Sequence, residues 1–215
     1  MELLMRDTFP ADEPLSRFLV SMAMARNDIE HAMWKAAKAN KDGRPEFDYW
    51  VRVVMGHFLE AAAALEQWRN RSPEVRDFLK RLSPDGRAAL KEVAKTLSRV
   101  GKNAVEHARN HTFHYPDPSC AYESDAELVR VLNGMADEPL TFGTVTGHPE
   151  RVRYVFADQA ALMIAMGKHS TEDLSAYRAQ VRDLQAGAAQ FVNFALVAIA
   201  KHLGQPPPRA PSRRD

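Results

Sequence analysis

Along this chain apolar residues recur at steps of three, four and seven, the spacing of a helix with one face turned to a core. Phe18, Met22, Ile29, Met33 and Ala37 form the first such stripe. Asp12 is placed to cap that helix, and Pro14 suits its first turn because the N–H it lacks has no intrahelical partner there. The loop Lys41-Asp42-Gly43-Arg44-Pro45 ends it after about Asn40. Trp50, Val54, Phe58, Ala62, Leu65 and Trp68 mark a second helix from Phe47 to Asn70, broken by Asn70 and Ser72-Pro73. A shorter one follows from Glu74 to Leu82. Ser83 before Pro84 and Asp85 is a helix start whose acid the helix dipole favours. This helix carries Leu90, Val93, Ala94, Leu97, Ala104, Val105 and Ala108. Gly101 interrupts it at modest cost and would permit close packing, and Pro116 and Pro118 forbid its continuation.

Ser124 with Glu127 reads as the capping box of a short helix to about Met135. A period of two appears only over residues 140–156, where Leu140, Phe142 and Thr144, then Val152, Tyr154 and Phe156, flank a turn at Gly147-His148-Pro149-Glu150. That pattern predicts a small β-hairpin. Asp158 is placed to cap an expected helix through Met166. Ser170 with Asp173 opens a last long helix to about Leu203, apolar at Leu184, Ala188, Phe191, Phe194, Ala195 and Ile199. Predominantly helical segments with short connections predict an all-α fold, an antiparallel bundle of roughly five to seven helices with a hairpin insertion near 140–156. Residues 1–204 are expected to form a single domain, and the Pro- and Arg-rich stretch 205–215 a disordered tail.

Composition narrows the picture. Hydrophobic residues at 45% and charged ones at 27% can supply a sizeable core. A net charge of +1 gives no general basic field, so a nucleic acid would have to be held by a local patch. The single Cys120 excludes an internal disulfide and fits a reducing compartment; it has no evident activating neighbour. The acidic start lacks the pattern of a signal peptide, and no apolar stretch approaches the ~20 residues that cross a bilayer, so a cytoplasmic protein without membrane association is expected. Met22, Met24 and Met33 are expected in the core.

The chemistry concentrates in Arg109-Asn110-His111-Thr112-Phe113-His114-Tyr115-Pro116, which closes the fourth helical pattern with a helix-stopping proline. At about 100° per residue, His107, His111 and His114 fall nearly on one line, while Arg109 lies roughly 140° from His114. Arg109 and His114 therefore share a ligand only if the helix loosens before Pro116 or if a second protomer supplies the partner group. Arginine offers a permanent forked cation matched to phosphate oxygens, and histidine exchanges protons near neutrality. With Asn110 to fix orientation, these suit attack of a ribose 2′-hydroxyl on the adjacent phosphodiester, a reaction in which no metal is required. His111, Tyr115 and His107 are candidate substrate-binding neighbours.

These residues resemble a known family. Arg109, Asn110 and His114 match an Arg, a polar residue, three further positions and a His in an all-helical chain, the signature of the HEPN (higher eukaryote and prokaryote nucleotide-binding) family. The wording Arg-Asn-x-x-Phe-His-Tyr is especially like that of bacterial members. The resemblance implies a helical bundle that pairs as a homodimer with both motifs facing one cleft. It also implies metal-independent RNA cleavage leaving a 2′,3′-cyclic phosphate, in the service of a toxin or defence function with an antitoxin or regulatory protein as partner. Arg109 would then stabilise the transition state, His114 serve as acid or base, and Asn110 position substrate. No cofactor is implied. The second reading is a non-catalytic module of the same fold that binds a nucleotide or a protein, which the near-neutral charge favours.

Two further patterns compete with this site. Arg26-Asn27 with His31 repeats its spacing inside the first helix, where an Arg26–Glu30 pair on a solvated face is expected. His107 and His111 stand four apart, as two metal ligands on one helix would, with Glu106 or His57 and Glu60 to complete a set; no metal is expected, since no acidic motif repeats across the helices.

Overall fold

The computed structural model describes residues 5–100, 130, 133, 142–145, 148–154 and 174–205. A single turn, α1 (Met5–Thr8), precedes α2 (Pro14–Lys41), α3 (Phe47–Arg71), α4 (Pro73–Lys80) and α5 (Pro84–Val100). Strands β1 (Phe142–Val145) and β2 (His148–Tyr154) and helix α6 (Leu174–His202) follow. The architecture is an all-α bundle carrying a two-stranded hairpin.

The ends of the helices are set by local hydrogen bonding. The N-cap of α2 is Glu13 rather than Asp12, with Pro14 in the first turn, and the Glu13 carboxylate accepts from the Ser16 hydroxyl at 3.3 Å. At the other end Gly43 takes a φ of +61°. Arg44 N–H donates to Ala39 C=O at 2.7 Å and Gly43 N–H to Asn40 C=O at 3.2 Å, the paired bonds that close a helix on a left-handed residue. Gly204, φ +65°, closes α6 in the same way, through Gln205 N–H to Ala200 C=O at 2.9 Å and Gly204 N–H to Lys201 C=O at 3.2 Å. These bonds close α6 at Gly204; residues 206–215, where the disordered tail is expected, lie outside the described ones.

Ser72 is nearly buried and its hydroxyl accepts from Val75 N–H at 3.2 Å, which starts α4 one residue earlier than the periodicity predicts. Ser83 caps α5 likewise, accepting from Gly86 N–H at 3.3 Å. Ser72→Ala removes the only side-chain acceptor that α4 is given at its start, so it is expected to lower unfolding free energy by about 0.5–2 kcal/mol. Urea titration measures this directly, and an unchanged midpoint with an unchanged slope would assign the start of α4 to Pro73 instead.

Helices α2 and α3 form an antiparallel hairpin across residues 42–46, and α6 packs against α2, α3 and α5. One hydrophobic cluster links them: Phe18, Met22 and Ile29 of α2, Val54 and Phe58 of α3, Phe78 of α4, Val93 of α5 and Leu184, Phe191 and Phe194 of α6. The stripes read from the sequence therefore point inward, with corrections at their edges. Met33, Trp50, Trp68, Leu90, Leu97 and Ile199 are half-buried against the cluster, whereas Ala37 and Ala94 are exposed. Met24, expected in the core, is 63% exposed; the inward arc of α2 at that level is taken by Met22 and Ala25.

Helices α5 and α6 approach at two glycines. A Cβ on Gly86 would stand 2.9 Å from Val197 Cγ1, and one on Gly187 would stand 2.6 Å from Thr96 Cγ2 and 2.9 Å from Phe58 Cζ. Gly101, the glycine singled out by pattern, lies outside the described residues. The span Val181–His202 of α6 is 22 residues long with mean hydropathy 1.2, long and apolar enough by length and composition to cross a bilayer, contrary to the expectation that no stretch approaches that length. Half of that window is buried within the bundle, where an apolar helix packed by its neighbours on several sides belongs.

In the hairpin Phe142 stands opposite Tyr154, Gly143 opposite Arg153 and Thr144 opposite Val152. The register then shifts and Val145 stands opposite His148. His148, Pro149 and Glu150 thus belong to β2 rather than to a turn. A proline is tolerated at such an irregularity because no ladder bond needs its missing N–H. Within the helix expected from Ser124 to about Met135, the described residues Arg130 and Asn133 are helical; Leu140, Phe156, Ser124, the helix capped by Asp158 and the cap at Ser170 and Asp173 lie outside the described residues.

Candidate functional site

Arg109, Asn110, His111, His114, Tyr115 and His107 all lie outside the described residues, as do Glu106 and Cys120. The described structure shows the helix that precedes them. Its start is fixed by the Ser83 cap. Its last turn is tied to α6 by Arg99, whose Nη1 donates to Asp183 Oδ1 at 3.2 Å. Between these ends Ala89, Val93 and Thr96 are buried, and Thr96 packs beside Gly187. The chain is therefore held on the bundle up to Arg99, ahead of the segment that carries the motif.

The look-alike pair is fully described and is already occupied. Arg26 Nη2 bonds Glu30 Oε2 at 2.8 Å across one helical turn, and its Nη1 donates to Asn27 Oδ1 at 3.2 Å. Both guanidinium prongs are thus turned to α2's own surface. His31 is exposed, its ring tilted to Trp34 at 6.1 Å and edge-on to Trp50 at 6.3 Å. Arg26 and His31 are engaged with different partners, as expected of a solvated helix face.

Around His31 the α2–α3 hairpin assembles a group that periodicity did not single out. Trp34 is 54% exposed. Lys35 Nζ lies 5.2 Å from its ring centroid and Lys38 Nζ 5.4 Å. Lys35 also reaches the Trp50 ring of α3 at 5.8 Å. Tyr49 stands edge-on to Trp50 at 5.1 Å, with the Arg52 guanidinium 5.6 Å from its ring. The signal in the sequence was Trp34 and Lys38 four apart on one helix face. The share of Lys35 held by Trp50 depends on how the two helices cross.

Elsewhere His57 is half-buried and Glu60 exposed, each engaged in contacts of its own. Among the described residues no three His, Cys, Asp or Glu side chains stand together as a metal ion would need. The Asp77 carboxyl is held below the usual carboxylate range, first by a hydrogen bond and charge from Lys80 at 2.9 Å and further by the charges of Arg81 and Arg76. It is exposed and marks a surface ion pair rather than a reacting group. Compared with protein-family models, curated proteins and solved structures, the chain matches none of them.

Proposed function

We propose that the protein is a metal-independent endoribonuclease of HEPN type, acting as a homodimer. The observation that carries this reading is the run Arg109-Asn110-His111-Thr112-Phe113-His114-Tyr115 in a chain whose described part is an all-α bundle. The occupied state of the rival pair supports the assignment, since Arg26 is spent on Glu30 and Asn27.

In this reading His114 takes the proton of a ribose 2′-hydroxyl, or returns one to the leaving oxygen. The 2′-oxygen forms a bond to the adjacent phosphorus as the bond to the 5′-oxygen breaks. The products are a 2′,3′-cyclic phosphate and a 5′-hydroxyl, and the proton count balances when the 5′-oxygen recovers the proton removed at the start. Arg109 stabilises the charge that builds on the non-bridging oxygens, and Asn110 positions the phosphodiester. His111, Tyr115 and His107 line the substrate path. A helix C-terminus repels anions through its dipole, so Arg109 is the principal anchor, and a two-fold axis that pairs two motifs doubles it. Toxin or defence work under an antitoxin or other regulatory protein is the biological setting that the resemblance suggests.

The reading predicts cleavage of single-stranded RNA in excess chelator, with products ending in cyclic phosphate, by a species that light scattering reports as a dimer. A monomer cleaving at full rate would overturn the shared cleft. Absence of cleavage across a panel of RNAs would return the chain to the second reading, a helical module that binds a nucleotide or a protein.

A further inference from the structure

The α2–α3 hairpin places exposed π surface beside positive charge. Among the described residues the large hydrophobic side chains left exposed are Met5, Met24 and Trp34, and of these only Trp34 is an aromatic ring. Its indole is flanked by Lys35 at 5.2 Å and Lys38 at 5.4 Å, and Lys35 bridges to Trp50 at 5.8 Å. Between Glu30 and Asp42 the chain contains Lys35, Lys38 and Lys41 and no acid. The two acids that bound this run are taken, Glu30 by Arg26 at 2.8 Å and Asp42 by Arg44 at 2.7 Å. The ammonium groups over the indoles are therefore held by weak ring contacts, which an anionic ligand can exchange for stronger ones.

We propose that this face, Trp34 and Trp50 with Lys35 and Lys38, is a binding surface for single-stranded RNA, a substrate class that rests on the ribonuclease reading above. A single strand presents a flat base and a phosphate at each nucleotide. Bases stack on aromatic rings whatever their sequence, and nearby lysines take the phosphates. The face offers both at one place. An acidic protein would use the lysines and leave the indole uncovered. An anionic bilayer would need an apolar ridge, and the exposed α2 residues nearest Trp34, namely Glu30, His31, Ala37 and Lys38, supply none. A local surface of this kind also fits a chain whose net charge is only +1, because it concentrates attraction where the overall charge does not.

The test is fluorescence anisotropy of a labelled, unstructured RNA of roughly a dozen nucleotides, a length within the usual single-strand site range. It uses the full chain with His114→Ala in every arm so that the probe stays intact. Trp34→Ala is expected to weaken binding roughly 5- to 100-fold, the effect of losing one stacked base, and Trp34→Phe to recover most of it. The Lys35→Ala/Lys38→Ala double variant is expected to reduce the slope of log affinity against log salt by about 1.4, two phosphate contacts on a single strand. Because Trp34 is exposed, matched circular dichroism and thermal midpoints are expected, and the Phe variant keeps the test valid if the Ala variant is perturbed. Unchanged affinity in both the Trp34→Ala and the double-lysine variants overturns the proposal. So does tight binding to anionic vesicles or polyglutamate together with no binding of RNA. If the native chain cleaves RNA while these variants bind normally, the surface is wrong and the ribonuclease reading stands. If binding depends on Trp34 while the native chain cleaves nothing, the surface stands and the ribonuclease reading fails.

Discussion

His114→Ala is expected to lower turnover on RNA by about 10²–10⁴-fold, the scale of losing a positioned general acid or base. Arg109→Ala is expected to cost about 10²–10³-fold, comparable to removing one donor that meets charge developing in a transition state. Arg109→Lys recovers only part of this, since lysine keeps the charge and loses the fork that matches two phosphate oxygens. The double variant should fall far short of the product of the two losses, because groups that act as one unit fail together. His31→Ala is the internal control. It carries the same spacing from an Arg-Asn pair, but Arg26 is held by Glu30 at 2.8 Å and Asn27 at 3.2 Å, so turnover at saturating RNA stays near that of the native chain. All variants are compared at matched stability with chelator present. Equal, small effects of His114→Ala and His31→Ala would reduce the run Arg109–Tyr115 to a helix end without catalytic work.

Gly187→Ala is the packing variant with the largest expected effect. In an exposed helix interior this change would stabilise by about 1 kcal/mol through helix propensity. At this position a Cβ meets Thr96 Cγ2 at 2.6 Å and Thr96 Cβ at 3.0 Å, as well as Phe58 Cζ at 2.9 Å. Thr96 is β-branched and buried, and Phe58 is fully buried, so neither neighbour can give way cheaply. Overpacking of this kind costs about 1–3 kcal/mol and is expected to outweigh the propensity gain. The cause can be isolated. In a Thr96→Ser background the nearest methyl is gone and the cost of Gly187→Ala should shrink, giving a coupling energy of about 0.5–3 kcal/mol in a double-mutant cycle. Additive behaviour of the two changes would mean that α5 and α6 separate freely, and the close approach would then not be a fixed feature of the bundle.

The candidate motif was legible as chemistry and not as geometry. Residue types alone mark Arg109, Asn110 and His114 as a phosphate and proton-transfer set, but their separation on an ideal helix leaves open what brings them together. The described structure adds the anchored α5, earlier in the chain, and the engagement of the look-alike pair. The cation–aromatic face of α2 and α3 was only half legible. Trp34 and Lys38 are neighbours by helix geometry, whereas the meeting of Lys35 with Trp50 is made by two different helices.

Sequence by itself determined the long helical segments of the described bundle, the ends at Gly43 and Ser83, the inward stripes of α2, α3 and α6, and the Arg26–Glu30 pair. All of these rest on interactions within about one turn of chain, which spacing and residue type specify directly. Tertiary structure alone decided that Met24, Ala37 and Ala94 face solvent, that α5 and α6 close together at Gly86 and Gly187, and that β2 begins at His148 after a shift of register. Each of these depends on which neighbour crosses at what distance. A helix's own periodicity leaves the width of its buried arc undefined until another element packs against it.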